Sequence, residues 1–299
     1  MPIKINVILL GSSGSVPTIG RSLPSVAVIY DGDVLVFDCG EGAQRQMIKY
    51  KVNVSKIKAI FLTHAHGDHV IGLAGLIRTM SLNKRKEPLM VFIPKGQEKS
   101  IRNLIVFDKP FISFPIYIMG CSPGKVYESR DYFVSAFSLR HTIKTCGYAF
   151  IEKDKRKFDK EKCIKLGIKG EMFSRLMKNK SIKVGRRIIR LNEVTYLKKG
   201  RKIVYASDTR PCLATMVVAK NADLLIHEST YISRDSDLAK ERKHSTAREA
   251  AIIAKKAKVK NLILTHISAR YKNPLVIIKD AKKEFENAYV AKDGMRFVL

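Results

Sequence analysis

The residues with the clearest chemistry lie together in Thr63-His64-Ala65-His66-Gly67-Asp68-His69. Three of the seven histidines of this 299-residue chain and one aspartate fall within six residues. Neutral imidazole and carboxylate suit zinc or a similar divalent ion. Packing so many polar ligand-type groups together is costly unless something binds them. The cluster follows Lys58-Ala59-Ile60-Phe61-Leu62, a short apolar run that reads as a buried strand. It precedes Val70–Met80, whose apolar spacing predicts a helix. On a tight turn between strand and helix, His64 and His66 converge on one point, and Asp68 and His69 reach a second nearby.

Other chemistry-bearing residues recur at the same kind of place. Asp38 ends a strand over 33–38, which forms a hairpin with 26–30 around Asp31-Gly32. It either caps the helix that follows or supports a metal-ligating histidine from behind. His141 closes the apolar stretch Tyr132–Leu139, and Asp208 ends a strand that starts at Arg201. Asp208 is placed to cap a helix over about 212–220 or to bridge two metals. His227-Glu228-Ser229-Thr230 ends another strand, and His266 ends Asn261–Thr265. His244 stands just before a helix over 247–257, whose start is fixed by the capping-box pair Thr246 and Glu249. Open α/β architectures gather their sites at such strand ends. Gly11-Ser12-Ser13-Gly14-Ser15-Val16-Pro17 reads as a tight turn after the first strand, Met1–Leu10. It has no nucleotide-binding glycine pattern.

Charge points to the partner. Lys and Arg number 56 against 27 Asp and Glu, a formal net charge of +29. Such an excess suits a polyanion, most simply nucleic acid, because phosphate contacts release counterions. The excess is concentrated between about 153 and 190, where 15 basic residues face four acidic ones. Two helical pieces are expected there, 159–166 and 171–177, joined through Gly167 and Gly170. Apolar residues are sparse, so this segment should bury little and project as a mobile arm, with Lys155, Arg156, Lys157, Lys169, Arg175 and Lys178 facing RNA. The five cysteines are scattered and form no Cys-x-x-Cys pair, which predicts reduced thiols in a cytoplasm. No apolar run reaches membrane-spanning length, so no membrane partner is expected.

Taken together, the motifs Asp-Cys-Gly-Glu-Gly (38–42), Thr-His-x-His-x-Asp-His (63–69), His141, Ser-Asp-Thr (207–209), His-Glu-Ser-Thr (227–230), His-Ser-Thr (244–246) and Thr-His-Ile-Ser (265–268) resemble the RNase Z family of the metallo-β-lactamase superfamily. The resemblance spans nearly the whole chain. It implies a four-layer αββα sandwich, a single domain over 1–299 with a basic arm insertion at about 153–190. It implies two zinc ions per chain, or manganese in their place. His64, His66 and His141 would hold one ion, Asp68, His69 and His266 the other, and Asp208 would bridge them. The implied reaction is removal of the 3′ trailer from precursor tRNA by attack of a metal-bridging hydroxide on phosphorus. Asp68 would accept the water's proton. His244, paired with Glu228, would protonate the leaving oxygen, and His227 would be a structural neighbour. The tRNA would keep a 3′-hydroxyl and the trailer a 5′-phosphate. A homodimer is also implied. Two stretches depart from the family pattern. In Pro17-Thr18-Ile19-Gly20-Arg21-Ser22 only Pro17 and Arg21 match a loop tied to reading the tRNA 3′ end, and Gly170-Glu171 replaces a Gly-Pro pair in the arm.

Two alternatives compete: a phosphodiesterase of the same fold acting on small substrates, and a non-catalytic zinc-containing RNA-binding protein. A small substrate needs neither the arm nor the charge. A structural zinc site needs neither Asp68 and Asp208 nor His244.

Overall fold

A computed structural model describes residues 3–299, apart from the side chains of residues 107–109. Met1 and Pro2 of the expected first strand lie outside the described residues. The strand itself runs Ile5–Gly11. Its alternation explains how the chain is layered. Ile5, Val7 and Leu9 face one apolar cluster, and Ile8 and Leu10 face another. Both faces of the strand are therefore covered, and period-two side chains serve two cores at once.

The described residues up to 151, with 202–299, make one compact unit. Its first sheet has seven strands in the order Arg296–Val298, Ile5–Gly11, Ser25–Tyr30, Asp33–Phe37, Ile57–Phe61, Leu89–Pro94 and Ile116–Cys121. Its second has seven in the order Ala288–Val290, Leu262–Thr265, Leu224–Glu228, Lys202–Ala206, Cys146–Glu152, Tyr132–Ser138 and Gly124–Glu128. The two sheets share a core in which Phe37, Phe61 and Phe92 stack and Tyr132, Tyr148, Phe150 and Tyr205 pack from the second sheet. Helices Ala43–Lys49, Gly72–Leu82 and Glu98–Ile105 cover the outside of the first sheet. Helices Leu213–Val218, Ala247–Lys256 and Leu275–Ala281 cover the outside of the second. This is the expected αββα sandwich.

The strand directions position the site. Asp33–Phe37, Ile57–Phe61 and Leu89–Pro94 run parallel, as do Lys202–Ala206, Leu224–Glu228 and Leu262–Thr265. Parallel neighbours deliver their C-terminal loops to a common sheet edge, the place where α/β sheets bind ligands. The Asp31-Gly32 turn has positive φ at both residues (49° and 87°), as a two-residue hairpin of type I′ requires. Strands Cys146–Glu152 and Ile116–Cys121 were not anticipated from the sequence.

Residues 152–201 form the second unit. Within it, strands Lys155–Phe158 and Thr195–Lys198 pair, and so do Ser181–Val184 and Arg187–Arg190. Helices Lys160–Lys165 and Met172–Asn179 lie between these elements in sequence, and Asp159 caps the first through the Lys162 amide. Contrary to the sequence expectation, the segment does bury something. Cys163, Ile168, Leu176, Ile189, Leu191 and Val194 form a small core of their own. The two hairpin-like pairings bring sparse apolar residues from distant positions together, which composition alone does not display. Among the described residues, no helix is long and apolar enough to cross a membrane, and the five cysteines are unpaired.

Candidate metal centre

Each functional side chain is presented by the turn after a strand. His64, His66, Asp68 and His69 follow Ile57–Phe61, and His141 follows Tyr132–Ser138. Asp208 follows Lys202–Ala206, and His266 follows Leu262–Thr265. Asp38, Asp208 and His266 adopt left-handed φ values of 56°, 43° and 55°. That conformation costs non-glycine residues roughly 1–3 kcal/mol each and persists only where its surroundings enforce it. Here it ends the strand abruptly and turns the side chain into the site.

The seven expected ligands converge in two groups. One contains His64, His66, His141 and Asp208, and the other Asp68, His69 and His266. Asp208 divides its oxygens between them. Its Oδ2 lies 3.7 Å from His64 Nε2 and 3.5 Å from His141 Nε2. Its Oδ1 lies 3.3 Å from His69 Nε2 and 3.0 Å from His266 Nε2. Asp68 Oδ2 lies 3.4 Å from His69 Nε2 and 3.5 Å from His266 Nε2. The Nε2 atoms of His69 and His266 are nevertheless buried without a hydrogen-bond partner among the described residues. Close carboxylates outside hydrogen-bonding geometry are what a donor set aimed at shared cations looks like. The residues present therefore fit divalent metal ions, and Asp208 stands between the two groups.

Over nearly its whole length the chain resembles curated proteins. It is 40% identical to ribonuclease Z of Methanosarcina acetivorans, over 99% of this chain and 98% of that protein. It is 41% identical to ribonuclease Z of Methanothermobacter thermautotrophicus, over 97% and 95%. The chain belongs to the ribonuclease Z family. Human tRNase Z, short form, superposes with a TM-score of 0.72 at 26% identity, covering 98% of both chains. The metallo-β-lactamase fold protein YhfI of Bacillus subtilis superposes at 0.73 with 17% identity over the full length of both, which establishes the fold. Residues 5–105 also match the model of the anti-Pycsar protein Apyc1 family.

Behind the candidate metal ligands of this ribonuclease Z family member stands a hydrogen-bonded layer. Asp38 Oδ2 meets His69 Nδ1 at 2.8 Å, and Tyr205 donates to the same oxygen at 2.8 Å. The Thr63 amide donates to Asp38 Oδ1 at 2.7 Å. The Thr63 hydroxyl lies 3.0 Å from His64 Nδ1. These contacts fix the ring orientations, as supporting carboxylates do in metal sites. They settle the two readings of Asp38, because the N-cap of the next helix is Gly42. Likewise Asp208 is no cap, since Cys212 holds that position. Thr63 and Thr230 stand in the quoted motifs but were given no role there, and Tyr205 was not singled out. Nothing in a lone Tyr marks it without the fold. Gly14 was read as a turn, yet a Cβ there would come within 2.5 Å of the His266 ring. The Ser15 amide donates to Asp68 Oδ2 at 2.9 Å.

Glu228 is fully buried and organises the second half of the site. Its carboxylate accepts from the amides of Thr209 (2.6 Å) and Ser245 (3.0 Å) and from the Thr230 hydroxyl (2.7 Å). It meets His244 Nδ1 at 2.9 Å. The His244 ring stacks on His266, 5.4 Å between centroids. His227 points elsewhere: it is buried, with Nδ1 against the Glu228 carbonyl, and joins neither ligand group.

The electrostatics follow from burial and charge. Burial would raise Glu228, but the His244 imidazolium holds it down to about 2. Burial would lower His244, but the Glu228 carboxylate outweighs it and raises His244 above the ordinary histidine value. Burial and the nearby His69 charge hold His64 well below that value. His266 is raised to about 10, because the Asp208 charge outweighs burial. The Asp208 and Asp38 carboxylates likewise outweigh burial and raise His69 well above the ordinary histidine value. Divalent ions binding there would compete with protons for these rings.

Proposed function

We propose that this chain is a hydrolytic endoribonuclease that removes the 3′ trailer from precursor tRNA at a two-zinc centre, with manganese able to substitute. The single observation that carries the reading is the division of Asp208 between two ligand groups beside a buried His244–Glu228 pair. A structural zinc site would need neither. His64, His66 and His141 would hold one ion, Asp68, His69 and His266 the other, and Asp208 both. Bound there, the ions would bring the pKa of water toward neutrality and offset phosphate charge.

The chain's own groups do the rest. Asp68, steadied by the Ser15 amide, accepts the proton of the attacking water. The new bond forms at phosphorus as the bond to the 3′ oxygen breaks. His244 gives that oxygen a proton, and Glu228 holds Nδ1 so that Nε2 carries it. The products are a 3′-hydroxyl on the tRNA and a 5′-phosphate on the trailer. The 152–201 unit, with 18 Lys and Arg against six Asp and Glu, grips the RNA backbone. A cytoplasmic homodimer completes the reading; light scattering of the purified protein checks the dimer.

The test is product mapping on a 3′-extended precursor tRNA. One cut after the discriminator base, lost with chelator and in Asp68→Ala, supports the reading. Tight binding without cleavage in any metal sinks it in favour of an RNA-binding protein. Turnover of a small phosphodiester with no tRNA cleavage shifts the assignment to the small-substrate enzyme.

A further inference from the structure

The basic unit carries an apolar feature that backbone phosphate does not require. In helix Met172–Asn179, Phe173, Ser174, Met177 and Lys178 share one face at helical spacing. Together with Phe158, they line an open cleft of about 560 Å³. The Phe158 and Phe173 rings meet edge to face, with centroids 4.9 Å apart at 77°. Both rings are only partly buried, and Met177 is 42% exposed. The core of the unit is supplied by other residues, from Cys163 to Val194. The aromatic pair is therefore a wall of the cleft as well as a support for the core.

The residues flanking this cleft in sequence are mostly cationic, with Asp159 and Glu171 among them. Arg156 and Lys157 immediately precede Phe158 and are exposed, as are Arg175 and Lys178 on the helix. Contacts to phosphate are made by cationic and polar groups and do not call for a half-buried aromatic pair beside an exposed methionine. An aromatic surface rimmed by cations is instead the arrangement that receives an unstacked nucleobase while the cations meet the adjoining phosphates. The face of a phenylalanine ring accepts any base, so no hydrogen-bonding groups are needed on the walls.

We propose that the Phe158–Phe173 cleft binds an unpaired nucleobase of the precursor tRNA, with Lys178 against the neighbouring phosphate. This deepens the proposed function and rests on the RNA-gripping role given there to the 152–201 unit. It adds contact to a base where that reading needs only contact to the backbone.

The experiment uses the full-length protein. Phe158→Leu with Phe173→Leu keeps apolar volume for the small core but removes both ring faces. Affinity for precursor tRNA is measured across a salt series, alongside hydrolysis of bis(p-nitrophenyl) phosphate. The double variant should bind precursor tRNA about tenfold more weakly, with an unchanged salt slope. Lys178→Ala should weaken binding and reduce the slope by about one. Hydrolysis of the small diester should be unchanged in both. A photoreactive benzoylphenylalanine at position 177 should crosslink to one unpaired nucleotide. Unchanged affinity in the double variant overturns the proposal. A crosslink to a second protein chain, or to RNA only within paired stems, also overturns it. Failure of the wild-type protein to cut precursor tRNA at all would be a failure of the functional reading, seen before any cleft variant is made.

Discussion

The metal centre and the 152–201 unit treat charge in opposite ways. At the centre, charged groups are buried and each is held by several others. Asp38 alone takes contacts from His69, Thr63 and Tyr205. In the basic unit, most cations are exposed, and ion pairs such as Arg187–Glu193 and Lys199–Asp154 sit in solvent. Exposed pairs stabilise by at most about 1 kcal/mol and are screened by salt. Buried groups missing one partner cost several times more. On the proposed reading, activity at the centre would depend on individual residues, whereas RNA binding by the basic unit would depend on the sum of many.

The largest effect should come from breaking the centre at the ligand proposed to be shared. Asp208→Ala should abolish cleavage of precursor tRNA and of bis(p-nitrophenyl) phosphate alike, and metal analysis should show fewer than two ions per chain. Next, His244→Ala should reduce kcat by about 10²–10⁴-fold, the range of a lost general acid, while leaving metal content intact.

Replacing residues 153–200 with a short glycine-serine turn should break the other side of the comparison. Cleavage of precursor tRNA should fail at substrate concentrations that saturate the intact enzyme, while hydrolysis of the small diester persists. Loss of both activities would show that the unit supports the fold of the centre rather than the grip.

Weaker substitutions sharpen the contrast. Asp38→Asn should lower metal affinity by about 10–100-fold without removing a ligand. Glu228→Gln should move a pH profile. The Glu228 carboxylate overcomes the effect of burial and holds His244 protonated above the ordinary histidine range. A general acid works only while protonated, so cleavage should fall as pH rises through that raised value. Without the carboxylate, the fall should come at lower pH. An unmoved alkaline limb would exclude His244 as its source. Smallest of all, Thr246→Ala removes the cap of the Ala247–Lys256 helix, where Thr246 and Glu249 exchange bonds. It should cost about 1 kcal/mol in denaturant titrations and leave the metal content unchanged.

Much of this was legible because the relevant signals are local. The 63–69 turn, the capping box at Thr246 and Glu249, and histidines or aspartates at strand ends are readable from neighbouring residues. Spacing on one turn places ligands without knowledge of the fold. The strands Cys146–Glu152 and Ile116–Cys121 were missed because a short apolar run carries no period of its own. The small core of the basic unit was missed because Cys163, Leu176 and Ile189 meet only after two pairings form.

The sequence by itself determined the ligand types, their grouping around turns, the excess of positive charge and where that excess concentrates. These depend on residue identity and short-range geometry. Only the tertiary structure decided that Asp208 faces both ligand groups, that Asp38 supports His69 rather than capping a helix, that Tyr205 and Ser15 reach carboxylates in the site, and that Phe158 meets Phe173. Each of those contacts joins residues far apart in the chain, and their separation is fixed by how two sheets pack or how hairpins pair rather than by any local preference.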